Sequence, residues 1–399
     1  MNYKKYKLED ICIKVTDGSH FSPKDDKNSS IPMLSVKDMK EYDFDYSNVK
    51  HISDDVYEKL LKSDCVPQKG DVLIAKDGSY FKEVFVNKEF TKKGILSSIA
   101  IFRPDLNIIL PEYLVYLFKT PEVYNYVKKS CVSGAALPRI ILNEFKKIEL
   151  NIPDIDYQKK VINIIDTIDQ KIILNNKNNN DLHDLLEKLF FEVYKTGTKC
   201  KLSDLISSIT TGSRPRGGAQ VNGVPSIGAE KIEKFGIYNY DNEKYISNEF
   251  FNKMKNGIVK SGDVLLYKDG AYTGKVSMAL NNYPYEKCAV NEHVYILRTN
   301  NNYAQNYLYF CLYLEENKNK IHTLASGKAA QPGLNQTELN SVDIKMPSLE
   351  LIRKFEKESN PLMEKICLNA LENRKLVGLK NNILSKLMNG EIDLNNIEL

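Results

Sequence analysis

Five histidines (His20, His51, His183, His293 and His322) offer the obvious chemistry, yet none stands at metal-ligand spacing from another. Gly270-Ala271-Tyr272-Thr273-Gly274-Lys275 falls one residue short of a phosphate-cradling P-loop, and Val276 stands where that motif needs Ser or Thr. Asn282-Tyr283-Pro284-Tyr285 only echoes the Asn-Pro-Pro-Tyr tetrapeptide of methyltransferases. No nucleophile–base pattern emerges, so the residues do not read as an enzyme. What remains are glycine-containing turns bearing Lys, Arg, Ser and Tyr. Such groups suit phosphates and base edges: guanidinium for guanine, amide for adenine, hydroxyls for either. The candidate DNA-contacting residues are Ser19, His20, Lys76, Tyr80 and Arg139 in the first half, and Ser213, Arg214, Arg216, Lys268, Tyr272, Lys275, Lys328 and Gln331 in the second. Turn geometry alone explains Gly78 and Gly270. A solvated loop side chain is the plain alternative for Lys76, Lys268, Tyr80 and Tyr272. Arg214 and Arg216 flank a proline in a glycine-rich loop, which favours an anionic partner.

Two long helices must position these turns. From about Asp154 to Tyr194 the seam Val161, Ile165, Ile168, Ile172, Asn175, Asn179, Leu182, Leu186, Leu189, Val193 steps by 4 and 3, the spacing of a face held against a partner helix. Adding 194 to each position gives Phe355, Ser359, Leu362, Ile366, Asn369, Asn373, Leu376, Lys380, Ile383 and Leu387, on a second stretch from about Ser348 to Asn389. The asparagine pair recurs at the same two places, so one unit is present twice. Asn175 to Asn180 invites a rival reading as a linker, since asparagine is a poor helix former. The seam stays in phase across the run, which a linker has no reason to preserve. Asp154 or Asp156 is placed to cap the first helix, and the seam asparagines are expected to set register between the two helices.

The flanking stretches repeat as well. Gly70-Asp71-Val72-Leu73-Ile74-Ala75, a turn feeding a buried strand, is matched by Gly262-Asp263-Val264-Leu265-Leu266-Tyr267. Thr16-Asp17-Gly18-Ser19-His20 is answered by Thr210 to Arg216, and Ser133 to Pro138 by Ser326 to Pro332. Ile31 to Val36 and Ile148 to Ile152 read as strands, and Pro111 to Lys129 as a helix pair broken at Pro121. Lys24 to Cys65 and Ala219 to Asn256 share little, which suggests one scaffold presenting two recognition surfaces. A chain of 399 residues suits two domains or more, and 42% hydrophobic with 27% charged residues describes a soluble globular protein. No run of 18 apolar residues exists, and the N-terminus does not read as a signal peptide. Seven scattered cysteines fit a reduced cytosol. A net charge of +4 permits nucleic-acid binding without demanding it.

In its order of variable domain, long helix, variable domain and long helix, the chain resembles the specificity subunit of a type I restriction–modification system. The residues that carry the resemblance are the paired Gly-Asp-Val-Leu strands, Lys268 to Lys275, Ser326-Gly327 through Pro332-Gly333-Leu334-Asn335, and the proline-led helices. The first half departs from pattern, since Ser79-Tyr80-Phe81-Lys82 lacks the second glycine and Leu137-Pro138-Arg139 replaces Gln-Pro-Gly. The resemblance implies an α+β fold: two similar mixed α/β target-recognition domains separated by two long antiparallel coiled-coil helices, with an internal pseudo-twofold repeat. The expected boundaries are 1–153 and 197–347 for the domains, and 154–196 and 348–399 for the spacer helices. It further implies a non-catalytic, cytoplasmic subunit that reads a split double-stranded DNA sequence. Methyltransferase subunits carrying S-adenosylmethionine, and in some systems a motor-nuclease subunit, would dock on it for adenine N6 methylation. This chain itself would hold no cofactor and no metal. A targeting subunit of a methylation-only system and a coiled-coil scaffold with two ligand-binding modules remain open as alternatives.

Overall fold

The computed structural model describes residues 3–392 and Leu394, apart from Ser79, Ala135, Ala271, 301–303 and 327–332. Contacts divide the chain into unit 1 (Met1–Asp169 with Gly378–Leu399) and unit 2 (Gln170–Val377). Both cuts fall inside long helices, because each helix belongs partly to each unit. The first helix runs Ile155–Tyr194 and the second Leu349–Met388. Of the two candidate caps it is Asp154 that accepts the Tyr157 N–H, at 2.8 Å. Ser348 does the same for Leu351 at 3.4 Å. The asparagine run 175–180 is helical throughout, so the linker reading fails.

The helix pair is antiparallel within each unit. In unit 1 the Tyr157 hydroxyl donates to the Leu387 carbonyl at 2.9 Å, and Lys380 Nζ meets Asp169 Oδ1 at 2.5 Å. In unit 2 Asn175 Nδ2 donates to Asn373 Oδ1 at 2.9 Å, and Asn369 Nδ2 to Asn179 Oδ1 at 2.8 Å. The seam asparagines therefore bond to one another across the helix contact, as the repeat leads one to expect. Ser359, the polar substitution in the second seam, is fully buried and accepts from Asn306 Nδ2 at 2.9 Å. That bond satisfies its hydroxyl two residues before Pro361, which stands inside the helix.

Each unit holds a four-stranded antiparallel sheet of the same order. In unit 1 the strands are Cys12–Asp17, Ile99–Pro104, Val72–Ala75 and Val84–Val86. In unit 2 they are Ile206–Thr211, Val294–Thr299, Val264–Tyr267 and Val276–Met278. A register shift falls at the same place in both first strands, between Cys12 and Lys14 and between Ile206 and Ser208. The aspartate of the Gly-Asp-Val-Leu motif is structural. Asp71 takes Arg103 by two hydrogen bonds (2.8 and 3.0 Å), and Asp263 takes Arg298 the same way (2.6 and 2.7 Å). Both carboxylates are almost fully buried, so each locks the entry of one central strand to its neighbour.

A smaller three-stranded sheet lies in each unit, Lys50–Ile52, Ile31–Leu34, Gly94–Ile95 and Tyr245–Ile246, Val224–Ile227, Ala289–Val290. The Ile31 strand is two residues shorter than its apolar run suggests. The Asp38 carboxylate accepts from Ser35 N and Oγ, both at 2.8 Å, and turns Val36–Asp38 into a 3-10 helix. Helices Pro111–Phe118 and Pro121–Ser130 confirm the break at Pro121. Their counterparts in unit 2 are Gln305–Tyr313 and Glu315–Ser326. All seven cysteines are free thiols. No helix among the described residues is long and apolar enough to cross a membrane.

Candidate nucleic-acid interface

An antiparallel sheet brings the end of one strand beside the start of its neighbour. In unit 2 this places three loops at one sheet end: the one after Thr211, the one before Val294 and the one joining Tyr267 to Val276. Arg214, Lys268, Tyr272 and Lys275 all belong to these loops, as do Glu292 and His293. Unit 1 collects Ser19, His20, Lys76 and Tyr80 in the same way. Arg139 joins them through a backbone bridge to Asp77, reinforced by Gly78 N to Pro138 O at 2.8 Å. Its counterpart in unit 2 is the bridge from Asp269 to Gly333.

The close packing of these loops depends on glycine. A Cβ added to Gly18 would lie 2.3 Å from the Ile95 carbonyl oxygen, and one on Gly212 would lie 1.6 Å from that of Val290. Neither backbone atom can move out of the way without breaking the loop, so a side chain is excluded at both.

The candidate side chains are not equally available. Lys76 is 4% exposed and its ammonium is paired with Asp17, whose other oxygen lies 3.2 Å from His20 Nε2. Lys76 therefore holds the loop rather than projecting from it, which corrects its reading as an open loop cation. Ser19 is also buried; its hydroxyl donates to the Phe21 carbonyl at 2.8 Å and accepts the Phe21 N–H at 3.1 Å. His20 stands exposed beside them. Tyr80 stacks on Tyr124 with ring centroids 6.3 Å apart, whereas Tyr272 is exposed with Lys275 Nζ 4.7 Å from its ring centre. Lys275 also pairs with Glu233.

Arg139 Nη2 is 2.9 Å from Asp77 Oδ2, and Arg214 Nη2 is 3.1 Å from Glu292 Oε1. Glu292 Oε1 lies 3.4 Å from His293 Nε2, and His293 Nδ1 lies 3.2 Å from Asp269 Oδ2, which takes Lys268 at 3.2 Å. The unit 2 edge is thus a continuous chain of polar contacts in which carboxylates alternate with nitrogen groups, Arg214, Glu292, His293, Asp269, Lys268. Ser213 and Arg216 are exposed on the same loop as Arg214, and Arg216 has no ion pair among the described residues. Lys328 and Gln331 lie outside the described residues. Sequence reasoning missed the acidic half of both edges. Asp17, Asp77 and Asp269 each precede a glycine or sit one step from it, and so read only as turn formers. No group of three or more His, Cys, Asp or Glu among the described residues is arranged to hold a metal ion.

Two relatives align with almost the whole chain. The type I restriction enzyme HindI specificity subunit of Haemophilus influenzae is 22% identical, covering 98% of this chain and 100% of its own length. The MjaVIII specificity subunit of Methanocaldococcus jannaschii is 23% identical, covering 92% of this chain and 90% of its own. The crystal structure of the type I restriction-modification system S subunit from M. genitalium superposes with a TM-score of 0.57 at 13% identity. It covers 97% of this chain and 96% of that one, and shows that the fold is shared. The profile of the type I restriction modification DNA specificity domain matches residues 1–184 and again 199–358, one copy for each half of the repeat, and the chain belongs to that family.

Proposed function

We propose that this chain, a type I restriction–modification specificity subunit, reads a split DNA sequence through the two sheet ends, one half-site for each unit. The observation that carries this reading is the pairing of one repeated backbone frame with two unlike sets of edge side chains. A frame built to do one thing twice has no need of different charges at equivalent positions; a frame built to read two different sequences does. Base edges are discriminated by donors and acceptors, and each edge carries both, a half-exposed guanidinium (Arg139, Arg214) beside a carboxylate (Asp77, Glu292).

The chain performs no methyl transfer itself in this proposal. Methyltransferase subunits bring S-adenosylmethionine and extrude the target adenine for N6 methylation, and a motor-nuclease subunit joins where the system restricts as well as modifies. The modest net charge of +4 is in keeping with partners that supply part of the DNA-binding surface. Cytoplasmic residence follows from that role.

Methylome sequencing of a strain carrying this chain with its methyltransferase partner tests the proposal. The expected result is a bipartite motif with a fixed gap and N6-methyladenine in each half. A gel shift with the same complex should retain only fragments that contain the motif. A methylome unchanged by deletion of the chain would overturn the reading and return it to a scaffold without DNA specificity.

A further inference from the structure

Four arginines of the two sheets and their edges are each held at hydrogen-bond distance by a carboxylate, and these pairs fall into two kinds. Arg103–Asp71 and Arg298–Asp263 are bidentate, and all four side chains are largely buried. Those are structural locks. Arg139–Asp77 and Arg214–Glu292 are different. Each is a contact to one carboxylate oxygen, each arginine side chain is about half exposed (50% and 47%), and each lies on the recognition edge of its unit. The second oxygens, Asp77 Oδ1 and Glu292 Oε2, are shielded from solvent and have no hydrogen-bond partner among the described residues. The same unsaturated arrangement has been built twice from non-equivalent positions. Arg139 comes from the segment beside the Lys76 turn, and Arg214 from the loop after the first strand of its sheet.

A guanidinium held by a carboxylate at one corner keeps most of its five donors free and fixed in orientation. The exposed fork then matches the O6 and N7 acceptors of guanine in the major groove. Holding the fork beforehand removes part of the ordering cost of binding. A second carboxylate oxygen without a partner lets the arginine tighten to a bidentate grip without displacing another group. We propose that Arg139 and Arg214 each read one guanine, the first in one half-site and the second in the other, with Asp77 and Glu292 as the positioning residues. Arg216, with no carboxylate partner, is left for the phosphate backbone. This assignment rests on the reading of the chain as a DNA specificity subunit.

The test uses the complex with its methyltransferase subunits and duplexes carrying the motif found by methylome sequencing. Each guanine of the two half-sites, on either strand, is replaced in turn by 7-deazaguanine, which lacks the N7 acceptor. The expected result is one position in each half-site where the replacement weakens binding, within the roughly 5- to 150-fold range that a bidentate base contact spans. Arg214→Ala should abolish that sensitivity in its own half-site only, and Arg139→Ala in the other only. Asp77→Asn and Glu292→Gln should shrink the ratio of guanine to 7-deazaguanine affinity several-fold, whereas a merely structural loss would weaken both duplexes alike. Sensitivity that persists in the arginine variant, or a half-site with no sensitive guanine, would overturn the assignment for that unit. Absence of any split motif for the wild-type complex would instead overturn the functional reading beneath it.

Discussion

The two units fill equivalent places in the helix seam with opposite chemistry. In unit 1 the contact is an ion pair, Asp169 with Lys380, whose side chains are only 8% and 12% exposed. The repeat maps these onto Met363 and Leu186, both fully buried in the apolar core of unit 2. Unit 2 in turn places the asparagine pairs at its helix contact, and buries His183 of the same helix against Phe235 and the Gln305–Tyr313 helix. His183 Nε2 lies 2.8 Å from the Phe235 carbonyl and so carries the proton, while its Nδ1 is buried without a hydrogen-bond partner among the described residues. Burial at Asp169, Lys380 and their two counterparts is what the repeat preserves; the chemistry that satisfies it has diverged. Each unit should therefore fail under a different insult.

The largest effect is expected from Lys380→Ala. Removing one partner of a buried ion pair strands the other, at a cost of about 3–5 kcal/mol. Burial, and after it the nearby Lys380 charge, pushes the Lys119 ammonium pKa down, so Lys119 gives only partial compensation. Urea unfolding of the full chain, followed by a probe in each unit, should show unit 1 lost first. The double variant Asp169→Leu with Lys380→Leu, which leaves no charge unpaired, should be close to wild type. Equal loss in both variants would sink the idea that the stranded charge is the cause.

Acid should act on unit 2 instead. Burial lowers the His183 pKa from 6.5 to about 4, so the folded state holds fewer protons there than the unfolded chain between those values. Stability from this group is full above pH 6.5 and is lost as the pH falls toward 4, by about 2 kcal/mol at pH 5 at ~1.4 kcal/mol per unit. Glu356 works in the other direction. Burial raises its carboxyl from 4.5 to about 7, against the Tyr307 N–H at 2.8 Å that favours the carboxylate. Its contribution is present below 4.5 and lost as the pH rises through 7. Between pH 4.5 and 6.5 the two slopes oppose one another, so in unfolding curves measured from pH 4 to 8 His183→Gln should leave stability falling as the pH rises and Glu356→Gln should leave it rising. Unaltered slopes in both would show that neither group is titrating as described.

The smallest change in stability should come from the asparagine layer. Replacing Asn179 and Asn369 together by leucine removes both members of a buried hydrogen bond, so stability should move by no more than about 1 kcal/mol. The effect should appear in specificity of pairing, as heterogeneity or self-association in light scattering, since a buried amide penalises shifted registers. A monodisperse variant would count against a register role for this layer.

The amino-acid sequence alone determined the elements whose apolar spacing is local. The seam period predicted both long helices to within a residue or two, because a face that must stay buried has to recur every 3 or 4 positions whatever lies against it. The repeat and the Gly-Asp-Val-Leu strands were legible for the same reason. Much of the recognition edge could also be named, since turns with glycine, arginine and lysine stand out. Which of those cations are available was decided only by tertiary structure. Lys76 is sealed by Asp17, 59 residues away, and Arg214 is held by Glu292, in the loop leading into the strand next to that of Arg214 only because of the sheet order. Ion pairing depends on distance in space, and an antiparallel sheet brings together loops that sequence spacing keeps far apart.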